Sequence, residues 1–258
     1  ERNLASLIED ISDLSKGAVL YQALNIDPAR NLDGGLAGGN IRTVILYQTK
    51  RGLGLVSAPE GKADEETKLL NKNGRAMLSL NPGRIWPANS AFFDIRKPII
   101  AQFVFNGQDI YIIGNHFNSK GEDGPLYGDQ QPPQLLSERQ RIAQAKAVNG
   151  FVRDILDINP KALIVVAGDL NDFPWSKSLK TLEGGLLENL LFTLPENQRF
   201  TYMYEGNGQV LDHILASKAL APRLLRLEIL HINSLSLPRM ASSDHDPVVA
   251  IFDLSALE

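Results

Sequence analysis

Apolar positions along this chain recur with two different periods, and the period decides each predicted element. Leu4, Leu7, Ile8, Ile11 and Leu14 recur at helical spacing and predict a helix over 2–14. A glycine-rich loop follows at 33–39, and the run Val44, Ile45, Leu46 predicts a buried strand over 41–47. Residues 57–73 are polar and read as an exposed excursion, after which Pro82, Pro87 and Pro98 punctuate a loop-rich stretch. Strands are expected at 99–105 and 110–117, joined by Asn106-Gly107, a pair that favours the left-handed conformations of a tight hairpin. A second loop, 120–133, is rich in Gly, Pro and acidic residues. Ser137 and Gln140 have the spacing of a capping box. Beyond them Ile142, Ala145, Val148, Val152 and Ile155 share one face of a helix expected to run to 156. Further strands are predicted at 162–167, 200–204, 210–216, 227–231 and 248–252, with a turn at 205–208 joining the pair on either side of it.

Strands outnumber helices, and short turns join many neighbours. That points to an α/β protein with mixed or antiparallel sheets rather than a doubly wound parallel sheet. No linker or internal repeat interrupts the chain, so one domain over 1–258 is expected, long enough to bury a substantial core. The 43% hydrophobic and 22% charged content is that of an ordinary globular protein. A formal net charge of -4 argues against non-specific coating of nucleic acid. A polyanionic substrate would need a local basic patch or a metal. The lack of cysteine excludes disulfides, thiolate metal sites and a Cys nucleophile. No apolar run reaches the ~18 residues of a membrane span. No signal peptide is visible, and the first residue is Glu1 rather than Met, so the natural N-terminus is expected to have been removed.

Four short polar clusters sit in, at the end of, or just before apolar strands. They are Asn115-His116-Phe117-Asn118, Gly168-Asp169-Leu170-Asn171, Leu211-Asp212-His213-Ile214 and Ser242-Ser243-Asp244-His245-Asp246-Pro247, and three of the four histidines lie in them. Carboxylates and imidazoles at strand ends are the usual material of an active site. Each cluster alone has a plainer reading. Asp169 and Asn171 could simply form an Asx turn, and Asp212 could be half of a buried ion pair. The Asp-His-Asp-Pro stretch could be a polar turn opening a strand, and His116 a satisfied structural residue. His231 lies outside the clusters and reads as structural.

Taken together, the order His, Asp-x-Asn, Asp, Asp-His resembles the endonuclease/exonuclease/phosphatase superfamily. Finer segments are similar to extracellular bacterial nucleases: Gly39-Asn40-Ile41-Arg42, Pro82-Gly83-Arg84-Ile85, Asn115-His116-Phe117-Asn118-Ser119-Lys120-Gly121 and Gly168-Asp169-Leu170-Asn171-Asp172-Phe173. The resemblance runs from Gly38 to Phe252. It implies a four-layer α/β sandwich with two mixed β-sheets packed face to face and helices outside. It implies hydrolysis of a phosphate ester by an activated water, with nucleic acid as the expected substrate and no membrane partner. It also implies a divalent cation, Mg²⁺ first and Mn²⁺ or Ca²⁺ as alternatives, which suits an oxygen-rich ligand set. By motif, His245 would act at the phosphate with Asp212 orienting its ring. Asp169 would position or deprotonate the water, and His116 would contact the phosphate or protonate the leaving oxygen. Asn171 would bind a phosphate oxygen or the metal, and Asp244 would be a metal ligand. Asn118 and Arg42 are candidate phosphate contacts, though Arg42 could equally be a solvent-facing charge. The family pattern begins with two strands that carry an Asn and a metal-binding Glu, and this chain is expected to lack both. An extracellular, cell-surface or periplasmic location is implied as well. Two alternatives stay open: a related phosphoesterase acting on a lipid or inositol phosphate, and a non-catalytic binding module with the same fold.

Overall fold

The computed structural model describes residues 2–29, 32–35, 40–125, 127–237 and 239–255. Glu1, Gly38, Gly39 and part of the expected glycine-rich loop lie outside these residues. The chain opens with α1 (Arg2–Leu14), β1 (Tyr21–Leu24), β2 (Ile45–Gln48) and β3 (Gly54–Leu55). Then come β4 (Leu69–Lys72), β5 (Arg75–Leu78), β6 (Gly83–Arg84), β7 (Ile99–Phe105) and β8 (Gln108–His116). The long helix α2 (Glu138–Ile158) leads to β9 (Leu163–Asp169), α3 (Lys177–Glu183), β10 (Leu187–Asn189), β11 (Tyr202–Tyr204) and β12 (Asn207–Gln209). β13 (Asp212–Ser217), β14 (Leu224–Ile229) and β15 (Val248–Phe252) complete it. No helix among the described residues is long and apolar enough to cross a membrane.

The fold is a mixed α/β sandwich built on one seven-stranded sheet, ordered β10-β13-β9-β8-β7-β3 with β6 also on β7. β8 and β9 run parallel and the other pairs of this sheet antiparallel, so α2 serves as the crossover between them. The central strands β8 and β9 have two apolar faces because the sheet is covered on both sides there. Tyr111, Ile113, Ile164 and Val166 pack against Val148, Phe151, Val152 and Ile155 of α2 and against Leu179 and Leu182 of α3. The intervening residues Ile110, Ile112, Leu163 and Val165 point the other way, onto Leu227, Val248, Ala250 and Phe252 of the β14–β15 ribbon. The β1–β2 ribbon covers the rest of that face through Leu24, Ile45 and Tyr47. Among the described residues the second layer therefore consists of two antiparallel ribbons.

Several expectations change. The polar excursion at 57–73 ends in a real hairpin, β4–β5, turning at Asn73-Gly74 with both residues at positive φ. Its inner side chains Ala76 and Leu78 enter the helix-side core, a burial that lies outside the polar stretch itself. Strand β2 is shorter than 41–47. The turn after 204 is tight, at Glu205-Gly206, so β11 pairs with β12, whereas β13 belongs to the large sheet. The capping box does not form, because the Ser137 hydroxyl donates to Asp123 and receives a hydrogen bond from Arg141 instead. Gln140 turns away to bridge the Ala91 and Phe93 carbonyls and Asn118.

Candidate active site

Register places the chemistry. In the parallel β8–β9 pair His116 stands opposite Asp169, and in the antiparallel β9–β13 pair Asp169 stands opposite Asp212. Three adjacent strands thus set His116, Asp169 and Asp212 in one row. By strand alternation the row continues the face bearing Ile112, Val165 and Ile214, where the inter-layer core gives way to polar side chains. It lies at the carboxyl ends of parallel strands, the usual seat of ligands in such sheets. His245 arrives from the loop before β15 and is bridged to Tyr202.

Gly168 makes the row possible. It has φ +135°, and a Cβ there would stand 1.9 Å from the Asn115 carbonyl oxygen. Just beyond it Asp169 caps the turn, with Oδ1 accepting from the Asn171 backbone N–H at 2.8 Å. The Asx turn and the candidate site are therefore the same structure. Asn171, at φ +50°, commits both hydrogens of its amide, to the Phe117 carbonyl at 3.1 Å and to Asp169 at 3.2 Å. Only its Oδ1 remains available, an oxygen suited to a cation and unable to donate to a phosphate.

The ionisable groups are pushed apart in strength. His245 Nδ1 donates to Asp212 Oδ2 at 2.6 Å, and this bond above all raises the imidazole to about 9. Burial, reinforced by repulsion from Asp212, raises Asp169 to about 6. Burial and the nearby Arg96 guanidinium lower His116 to about 4. At neutral pH the site therefore offers a carboxylate of raised basicity, a charged imidazolium and a neutral imidazole. Such separation of pKa values marks acid–base sites. His116 Nε2 lies 3.4 Å from Asp169 Oδ2, too long for a firm hydrogen bond.

Ligating atoms of Asp169, Asp212 and His245 lie within 4.8 Å of one another. A charged imidazolium repels a cation, so the oxygens of Asp169, Asp212 and Asn171 are the better donors, a set that fits a hard cation. Asp244 falls outside that cluster but lines the same cleft as His245 and Asn171. Asn118 sits just beyond β8, its backbone N–H held by Gln144 and its amide donating to Gln140. Arg42 is placed elsewhere. It precedes β2, pairs with Asp27 and lines a groove against α1. His213 is fully buried, donating through Nε2 to the Asp172 carbonyl at 2.9 Å. His231 bonds Asp246 and stacks on Phe200, the structural part expected of it.

One residue escaped the sequence reading. Arg96 is only 9% exposed, and its Nε has no hydrogen-bond partner among the described residues. Its charge acts on both His116 and Asp169. Gly35 packs on the guanidinium, where a Cβ would come within 2.8 Å. The signal was the Arg96-Lys97 pair at the foot of an apolar strand, masked by the prolines around it.

Residues 69–227 match the sequence family described as the endonuclease/exonuclease/phosphatase family. The chain belongs to that family. No curated protein matches it in sequence. Among solved structures it is similar to a mannosyl-6-phosphatase of Bacteroides thetaiotaomicron, at 16% identity over 95% of this chain and 81% of that one, with a TM-score of 0.56. It is also similar to a humanized D. rerio TDP2, at 15% identity over 95% and 82% with a TM-score of 0.57. A D. rerio TDP2 complexed with single strand DNA product matches at 14% identity over 94% and 81%, with a TM-score of 0.56. At these identities the similarity carries the fold. Family membership and fold make this a hydrolytic phosphoesterase scaffold, of a family that generally uses a divalent metal.

Proposed function

We propose that this protein is a metal-dependent phosphodiesterase that cleaves nucleic acid. The observation that carries the reading is the row His116–Asp169–Asp212 closed by His245, in which separated pKa values supply a base and a cation side by side. Asp169 takes the proton of a water whose oxygen bonds to phosphorus as the ester P–O bond breaks. His245, oriented by Asp212, points Nε2 at a phosphoryl oxygen and stabilises the charge that builds there. Neutral His116 donates one N–H to the phosphate or leaving oxygen. Arg96, with its unpaired Nε, supplies a second cation to the anionic ester. Asn118 contributes an amide N–H. Asp212, Asn171 and Asp244 would hold the cation, Mg²⁺ or alternatively Mn²⁺ or Ca²⁺, leaving Asp169 as the base. When bound, the cation offsets negative charge on the phosphoryl oxygens.

Nucleic acid as substrate is supported by the structural neighbour bound to a DNA product. The mannosyl-6-phosphatase neighbour supports a second reading, a sugar phosphomonoesterase on the same scaffold. Side-by-side assays separate them: cleavage of DNA and RNA against phosphate release from mannose 6-phosphate. Phosphate release without strand cleavage sinks the nuclease reading. A location outside the cytoplasm belongs to the same proposal, and recovery of the native protein from the cytoplasmic fraction alone would contradict it.

A further inference from the structure

A cleft of about 380 Å³ opens beside His245 and Asn171. Its size is that of a small-molecule site, and Phe173, Tyr202 and Tyr204 set aromatic rings among its polar and charged lining residues. One wall is the β11–β12 hairpin, whose Tyr202 and Tyr204 rings stack 6.5 Å apart at 19°. Tyr202 also lies against the His245 ring, 4.9 Å between centroids, which ties this wall to the candidate reaction centre. The other wall includes Phe173, directly after the Asp169–Asp172 turn. Phe173 stacks on Trp175 at 5.2 Å and 15°, and Lys120 Nζ sits 4.7 Å above the Phe173 ring. Tyr204 is 46% exposed and Trp175 68%. Trp175 keeps most of its area in water and Tyr204 nearly half, so burial of apolar surface alone does not explain their stacking.

A planar ring inserted between two aromatic walls gains stacking on each face. Every nucleobase has such faces, so the gain is tolerant of sequence. A base paired inside a duplex cannot enter, because its faces are already covered by neighbouring bases. We infer that the cleft lined by Tyr202, Tyr204 and Phe173 receives one unstacked base of the nucleotide next to the scissile phosphate, so that the enzyme prefers single-stranded or frayed nucleic acid. This rests on the nuclease reading above. Lys120 also lines the slot, with its charge shared between Asp172 at 3.1 Å and Asp123 at 3.8 Å. The lining carries charge of both signs, Lys120 and His245 against Asp123 and Asp244, and the aromatic faces add selection for shape and stacking.

The test compares kcat/KM on a single-stranded oligonucleotide and on the same sequence as a blunt duplex, with the full-length protein and Mg²⁺. The wild type is expected to favour the single strand by tenfold or more. Tyr204→Ala should raise KM for the single strand by roughly 10- to 100-fold, the range of one lost stacking partner, and bring the ratio close to one. Tyr204→Phe should keep the preference, because the face of the ring, and not its hydroxyl, does the binding. Equal cleavage of both forms by the wild type, or an unchanged ratio in both Tyr204→Ala and Phe173→Ala, overturns the inference while leaving the nuclease reading intact. A wild type that hydrolyses bis(p-nitrophenyl) phosphate but no oligonucleotide overturns the nuclease reading itself. Loss of mannose 6-phosphate hydrolysis in Tyr204→Ala, with oligonucleotide cleavage retained, overturns the inference and assigns the slot to a sugar.

Discussion

Replacing Arg141 with Met should loosen the loop that carries Asn118 and Lys120, and the structure sets the scale. Arg141 is fully buried in the first turns of α2. Its guanidinium donates to Asp172 at 3.0 Å, to Asp123 at 3.0 Å, to the Ser137 hydroxyl and to the Ser119 carbonyl at 3.3 Å. It thus ties the loop after β8 and the turn after β9 to one helix. Removing one partner from a buried ion network costs about 3–5 kcal/mol, because the carboxylates left behind lose their counter-charge. Lys120 still reaches Asp172, so the lower end, about 3 kcal/mol, applies. At roughly 2–4 °C per kcal/mol for a domain of this size, Tm should fall by about 6–12 °C. The loss should also depend on pH. Burial pushes Asp123 and Asp172 up, but hydrogen bonds and the charges of Arg141 and, at Asp172, Lys120 outweigh it and hold both below the usual carboxylate range. A depressed carboxylate contributes stability above its unfolded pKa of about 4 and loses it as pH falls through the folded value. Without Arg141 burial dominates, the two groups protonate sooner, and the gap between wild type and variant should narrow from pH 7 toward pH 4. Urea unfolding at several pH values measures this. A loss under about 1 kcal/mol, or one that does not change with pH, would refute the reasoning.

Three further outcomes follow from the geometry. Asp212→Asn should lower kcat by about 10²- to 10⁴-fold, as when an orienting carboxylate is removed from an imidazole. His245 followed by NMR in that variant should return from about 9 toward 6.5, and the stability it loses should be full below pH 6.5 and vanish as pH rises through about 9. An unmoved His245 titration would break the assignment. Arg96→Met should raise KM for a phosphodiester by about 10- to 100-fold, the worth of a hydrogen bond to a charged group, with no loss of thermal stability. A drop in Tm without a KM effect would make Arg96 structural. Gly168→Ala should cost more than about 3 kcal/mol, from strained φ together with the clash on Asn115, and a variant that melts like wild type would show that the backbone can move aside.

Much of the fold was legible where one period dominated. β7, β8, β9, α2 and β15 lie close to their predicted positions because each buries a continuous apolar face. The hairpin β4–β5 was hidden because β4 is mostly exposed and its anchoring residues come after the turn. α3 was missed because seven residues hold only two helical turns of pattern, although Ser176 caps it as sequence rules would ask. In the site, His116, Asp169, Asp212 and His245 could be listed from the sequence, but their alignment is a property of register, which no local pattern encodes. Arg96 depends on a contact with Gly35 sixty-one positions away, and Arg42, the arginine singled out from the sequence, faces another groove.

The central claim is that the row on β8, β9 and β13, with His245, hydrolyses nucleic acid with the help of a divalent cation. Nicking of supercoiled plasmid tests it most directly, using the full-length protein and its His245→Ala variant with Mg²⁺, with Mn²⁺ and with EDTA. The account predicts nicking by the wild type that EDTA abolishes and that the variant lacks. Nicking that survives EDTA or the loss of His245, or a wild type inert with every divalent ion, would contradict it.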